Sequence, residues 1–182
     1  MSIYNSYDIN KHSIRLKDFD YRADKVYFVT VVTNSRRHLF GDIQDGIIEH
    51  NDAGKMVLRR YAEIADRFQG MFPLDVVLMP NHLHCILQNT KEGENLLFDV
   101  MQWFKGVTTF DYKKGVSERG WKRFDQHLWQ PRYYDSILWN ERMYKAVIDY
   151  IAWNPFRWQN DKLNPDCGEE VDDINSLINE LR

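Results

Sequence analysis

The chain has 182 residues, 43% hydrophobic and 14% aromatic, enough for one domain with a full core. Its two cysteines, Cys85 and Cys167, lie far apart without CxxC spacing, which argues against a disulfide framework and a cysteine zinc site. The net charge of −3 conceals a gradient, because residues 161–182 hold seven acids against two bases and residues 1–160 sum to +2, so a phosphate backbone is not excluded as a partner.

The first two dozen residues, polar and mixed, predict an extended N-terminal arm. VYFVTVVTN (Val26–Asn34) is β-branched and aromatic and predicts a central strand. HNDAGK then offers Asn51 or Asp52 as a cap for a helix to about Arg67, with Val57, Tyr61, Ile64, Ala65 and Phe68 at helical spacing. LDVVLMPNHLHCILQ (Leu74–Gln88) predicts one long strand, broken or bulged at Pro80 because proline cannot donate to a ladder. Leu97, Val100, Met101 and Phe104 mark a second helix, stopped by the turn chemistry around Gly115.

LWQPRYYDSILWN (Leu128–Asn140) predicts a strand segment interrupted at Pro131. Asn140 caps a third helix with Tyr144, Val147, Ile148 and Ile151 as its buried stripe. Asn154–Pro155 should end it, since a residue before proline is pushed out of the helical region. With no βαβ glycine fingerprint, the pattern predicts an α+β fold with an antiparallel sheet. No basic-then-apolar leader and no apolar run of about 18 residues occurs, so a soluble cytoplasmic protein without membrane association is expected.

Within MPNHLHCIL, His82 and His84 stand at i and i+2 of a strand, on one face and roughly 6.5 Å apart at their Cα atoms. Leu83, Cys85 and Leu87 face the other way, into a core. Two converging imidazoles are a natural start for a divalent metal site. The same pair also suits a polar, solvent-facing strand edge, and the residues alone leave both readings open.

Three motifs in this order, MPNHLHCIL, LWQPRYYDSILWNE and VIDYIAWNP, resemble the single-tyrosine HUH transposases, in particular their REP-associated branch. The resemblance extends from about His12 through HSIRLKDFDYRADKVYFVTVVTN and HLFGDI to Pro165. It implies a ferredoxin-like antiparallel sheet with helices packed on it, the HUH endonuclease fold, with the histidines on a central strand. It implies one transposase domain over residues 1–165, arm included, followed by an acidic tail over 166–182.

The same resemblance implies that Tyr150 is the catalytic nucleophile. It also implies that His82 and His84, completed by Asn154 one helical turn beyond the tyrosine, hold a divalent ion, Mg²⁺ or Mn²⁺. Helix geometry is compatible: Tyr150 lies roughly 110° from the centre of the buried stripe and Asn154 roughly 40° from Tyr150. The implied reaction cleaves and rejoins single-stranded or hairpin DNA, such as REP-like palindromes, through a 5′-phosphotyrosine, in a monomer or homodimer.

Lys105, Lys122, Arg123 and Arg132, interleaved with Trp129 and Tyr133, are the candidate DNA contacts, pairing charge with stacking surfaces. Family members commonly carry histidine where Ser136 stands and arginine where Trp139 stands. Two rivals remain at this stage: a hairpin-binding protein that does not cleave, and a metal nuclease that uses water.

Overall fold

The computed structural model describes residues 25–90, 95–167 and 174–181; the N-terminal arm expected from the sequence lies outside them. The strands are β1 (Lys25–Val32), β2 (Gly41–Gln44), β3 (Ile47–His50), β4 (Met71–Leu78), β5 (His82–Asn89) and β6 (Tyr134–Ile137). The helices are α1 (Asp52–Ala62), α2 (Ile64–Arg67), α3 (Leu97–Arg119), α4 (Glu141–Trp153) and α5 (Ile174–Glu180). The main sheet runs β4-β5-β1-β6, every neighbour antiparallel. The expected antiparallel α+β architecture is therefore present, and β5 is an interior strand, not a solvent-facing edge.

Alternation along the strands separates two cores. Val29, Val31, Leu83, Cys85 and Leu87 point to one face and meet Met56, Val57 and Tyr61 of α1 and Val100, Met101 and Phe104 of α3. Val26, Phe28, Val77 and Ile86 point to the other and meet Met143, Tyr144, Val147 and Ile151 of α4. Each fully buried aliphatic side chain contributes about 1.5–3 kcal/mol, so both layers have reason to stay closed on the sheet.

Several local expectations change. The stretch Leu74–Gln88 is two strands rather than one: Pro80 sits in the turn joining β4 to β5, and the irregularity in their register falls between Pro73 and Val76. Proline suits that turn because its missing N–H faces no ladder partner, while its carbonyl accepts from the amides of Leu39 and Phe40 at 2.8 and 3.1 Å. Asn51 caps α1, its side chain accepting from the Gly54 amide, but the predicted helix breaks at Glu63 into α1 and α2.

Helix α3 runs past Gly115 to Arg119 and ends at Gly120 with φ 69°. Gly115 is a packing residue, not a stop: a Cβ there would stand 2.1 Å from the Trp121 ring. Of Leu128–Asn140 only Tyr134–Ile137 is strand, with one further bridge between Thr33 and Trp129. Asn140 caps α4 by accepting from the Met143 amide. The helix ends at Trp153 as expected, yet Asn154 keeps helical angles (φ −56°, ψ −42°) because the chain continues into a 3-10 turn, Pro155–Asn160. That continuation holds Asn154 one turn beyond Tyr150.

The segment expected to be an acidic tail contains α5, whose Ile174 and Ile178 are buried against the α4 side of the sheet. Among the described residues no helix is long and apolar enough to cross a membrane. Truncating the isoleucine contact should be costly: Ile178→Ala is expected to lose about 3 kcal/mol, lowering Tm by roughly 6–12 °C. Thermal unfolding followed by circular dichroism measures this; an unchanged Tm would mean α5 is not part of the folded core.

Candidate metal and tyrosine centre

His82 and His84 are both buried on the α4 face of β5, their ring centroids 4.5 Å apart. The strand register places Thr30 of β1 opposite His84, and the Thr30 hydroxyl lies 2.7 Å from His84 Nδ1. His82 is held by its sequence neighbour: Nδ1 is 2.7 Å from Asn81 Oδ1. The Asn81 amide cannot be turned round, because its Nδ2 donates to the carbonyls of Arg36 (3.1 Å) and Leu163 (2.7 Å). Oδ1 therefore accepts, His82 Nδ1 must carry the proton, and His82 Nε2 presents a lone pair. A buried polar neighbour that fixes the tautomer is what a metal-binding imidazole requires.

What Nε2 faces is another acceptor. Asp161 Oδ2 lies 3.7 Å away, buried, while its Oδ1 accepts from the Leu163 amide at 2.7 Å. Asn154 is also buried here, and its amide adjoins both groups, favouring their charged forms. Among the described residues, His82 Nε2, Asn154 Oδ1 and Asp161 Oδ2 are all buried without a hydrogen-bond partner. Leaving one such group unsatisfied costs about 1–3 kcal/mol, and lone pairs of His82, Asn154 and Asp161 gathered in one buried place suit a cation.

The ligand-capable atoms of His82, His84 and Asp161 lie within 4.8 Å of one another. This buried His-His-Asp group can hold a metal ion, and its donor set of two imidazoles with oxygen fits a divalent one. Burial holds the His82 imidazole well below its ordinary pKa, with the neighbouring His84 charge adding to the effect. Burial likewise raises the Asp161 carboxyl, against the pull of the Leu163 amide, Asn154, Lys162 and Arg36.

Tyr150 reaches the same point from α4. Its hydroxyl is 3.3 Å from His84 Nε2, and its ring meets Phe28 edge-on at 6.3 Å. The Thr30 hydroxyl can accept the Nδ1 proton of His84, the tautomer that leaves Nε2 to accept from the tyrosine. Trp158 of the 3-10 turn covers the site, 6.0 Å from the His82 ring and 5.3 Å from His38. The strap from Thr33 to Phe40 closes one side, with Ser35 and Arg36 in the left-handed region at φ 56° and 51°. Non-glycine residues pay about 1–2 kcal/mol there. The strap is pinned by bonds from Asn81 to the Arg36 carbonyl and from the Thr33 hydroxyl to the Arg37 carbonyl.

The structure thus brings Tyr150, His82, His84 and Asn154 together. It adds three residues that sequence reasoning missed. Asp161 had been counted only among the seven acids of residues 161–182, and nothing in its local sequence distinguishes it. Thr30 and Asn81 carried no pattern of their own, although Asn81 directly precedes the histidine pair.

The expected DNA contacts separate into two groups. Lys122, Arg123 and Arg132 are exposed on the segment between α3 and β6. Trp129 is not available for stacking: it is 3% exposed, its indole N–H donating to Thr108 at 2.8 Å. Tyr133 is half-buried against the same core, and the Lys105 ammonium is tied to the carbonyls of Gln130 and Pro131 at 2.7 and 2.8 Å. Tyr134, opposite Thr30 on β6, lies on the His84 face and is 60% exposed.

Residues 24–154 match the family model described as Transposase IS200 like. An uncharacterized protein of Haemophilus influenzae is 29% identical over 178 residues, covering 90% of this chain and 98% of that one. A REP-associated tyrosine transposase of Escherichia coli K12 is 27% identical over 81 residues, 44% of this chain and 42% of its own. The solved structure of a REP-associated tyrosine transposase bound to a REP hairpin is similar in fold. It matches 76% of this chain and 70% of its own, with a TM-score of 0.54 and 19% identity.

The facing acceptors give a stability test. Asp161→Asn keeps an oxygen for the Leu163 amide and supplies an N–H toward His82 Nε2. In EDTA the variant is expected to be more stable than the parent by about 1–2 kcal/mol, seen as a higher denaturant midpoint. A lower midpoint would show that the carboxylate already has a donor and is not part of an acceptor cluster.

Proposed function

The chain belongs to the IS200-like transposase family, and from that premise we propose that it cleaves and rejoins single-stranded hairpin DNA through a covalent link to Tyr150. The observation that carries this reading is the 3.3 Å approach of the Tyr150 hydroxyl to His84 Nε2, at the edge of a buried cluster of acceptors. Among the described tyrosines, Tyr150 stands on a helix with its oxygen at the histidine pair. Such placement supplies the orientation a phosphodiester reaction needs.

In the proposed reaction the Tyr150 oxygen forms a bond to the phosphorus and the bond to the 3′ oxygen breaks. The tyrosine loses a proton and the departing 3′ hydroxyl gains one. The strand is left with a 5′-phosphotyrosine, and attack by a 3′ hydroxyl reverses the step, so no nucleotide cofactor is required. Tyrosine ordinarily titrates near pH 10 and is a weak nucleophile at neutral pH. A divalent ion, when held by His82, His84 and Asp161 with Asn154 beside them, supplies positive charge that polarises the scissile phosphate.

The protein's own groups do the rest. Asn81 and Thr30 fix the imidazole orientations, and Trp158 limits water above the site. Arg36, whose charge is felt by both His82 and Asp161, brings a cation to the rim. Lys122, Arg123 and Arg132 are available to phosphates, and the exposed Tyr134 ring to a base beside the cleft.

Tyr150→Phe removes one oxygen and keeps the ring contacts with Phe28 and His84. It is expected to fold as the parent does and to bind a labelled DNA hairpin unchanged. It should lose cleavage, together with the covalent protein–DNA band seen on a denaturing gel with Mn²⁺. A variant that still forms the adduct places the nucleophile on another residue. One that cuts without any adduct points to a water-using nuclease, and a parent protein that binds but never cuts points to a hairpin-binding protein.

A further inference from the structure

Helix α3 holds two interior glycines with opposite surroundings. At Gly115 a Cβ would collide with Trp121, so packing explains the residue. At Gly106, in the middle of the 23-residue helix, a Cβ would meet no heavy atom within 4 Å. The fold gains nothing there from the poorest helix former after proline. A glycine without a steric reason leaves its backbone bare for something outside the fold to approach.

Gly106 lines a cavity of about 400 Å³ between α3 and the segment Gln126–Pro131. Lys105, Lys113 and His127 are among its polar groups, Leu128 and Pro131 form apolar wall, and among the described residues no carboxylate lines it. The shape is set in advance, because the Lys105 ammonium straps the Gln130 and Pro131 carbonyls to the helix. Just outside, one helical turn from Gly106, the Phe110 ring is 69% exposed. Trp129, which also lines the cavity, belongs to the core of the α1 and α3 face, so the cavity opens on the side of the sheet away from Tyr150.

We propose that this cavity is a second DNA site, which takes one unpaired nucleotide with its base over the bare Gly106 backbone and its phosphate toward Lys113 and His127, while Phe110 stacks the adjoining base. The proposal rests on the DNA reading above. Positive charge beside an exposed aromatic ring is the combination that holds single strands without base pairing. A strand is favoured over a free nucleotide because only a polymer reaches the cavity and Phe110 together. The site contributes grip at a distance from the chemistry, so its loss weakens binding and leaves the cutting step intact.

The test uses the full-length chain and a fluorescein-labelled hairpin carrying randomised single-stranded flanks, with binding read by anisotropy. Gly106→Leu fills the cavity mouth, and Lys113→Gln removes an exposed charge without touching the core. Gly106→Leu is expected to keep or raise Tm and to lose about tenfold in affinity. Lys113→Gln should lose severalfold with a weaker salt dependence, and both should cut at the parent rate when saturated with DNA.

Unchanged affinity in both variants overturns the cavity site while leaving the Tyr150 reading intact. Displacement of the hairpin from the parent by millimolar deoxynucleoside monophosphate, which lacks the second base, overturns the strand in favour of a mononucleotide. A parent protein that binds no hairpin overturns the DNA reading and this proposal with it.

Discussion

Two imidazoles are buried on an interior strand, and each needs an orienting partner before it can be of use. That requirement organises much of the molecule. His84 is answered by Thr30 on the neighbouring strand and His82 by Asn81 in the preceding turn. Asn81 is in turn held by the carbonyls of Arg36 and Leu163, from segments far apart in the chain. The Thr33–Phe40 strap, its left-handed residues and the 3-10 turn after α4 are thereby tied to one strand end. A fold optimised for stability alone would not leave three acceptors facing one another in its interior. Natural sites accept such local cost where chemistry needs it, and the cores on both faces of the sheet offset it.

The sheet then divides labour between its faces. On one, α4 carries Tyr150 and Asn154 over the histidines, with the tyrosine ring edge-on to the stacked pair of Phe28 and His84. A helix packed through Met143, Tyr144, Val147 and Ile151 positions a hydroxyl more exactly than a loop would. On the other, α1 and α3 build a conventional apolar core, at whose margin α3 and the Gln126–Pro131 segment enclose a basic cavity. On the proposed reading, chemistry and grip lie on opposite faces and can be altered independently, since distant sites couple weakly.

Where a local rule governed the outcome, the sequence was legible. Asn51 and Asn140 cap the helices they precede, alternation placed His82 and His84 on one face, and helical spacing put Tyr150 at the margin of a buried stripe. The errors share one cause, that a neighbour distant in sequence decided the outcome. Pro80 was read as a break within a strand because the carbonyl contacts that make it a turn come from Leu39 and Phe40. Gly115 resembled a helix stop until Trp121 supplied its packing reason, and Trp129 resembled a stacking surface until Thr108 took its N–H. Asp161 is the sharpest case: in sequence it heads an acidic run, and only the 3-10 turn after Pro155 carries it back to His82. The Asp45–Gly46 hairpin, with φ 52° and 75°, follows the commonest two-residue turn rule, yet the sequence reading passed over it.

The central claim is that the buried acceptors form a divalent-cation site serving Tyr150. Crystals grown with Mn²⁺ and measured at a wavelength where manganese scatters anomalously test it directly. The account predicts one strong anomalous peak within bonding distance of His82 Nε2, His84 Nε2 and Asp161 Oδ2, beside the Asn154 amide and the Tyr150 hydroxyl. No peak there under saturating Mn²⁺, or an ion bound only elsewhere on the molecule, would contradict it.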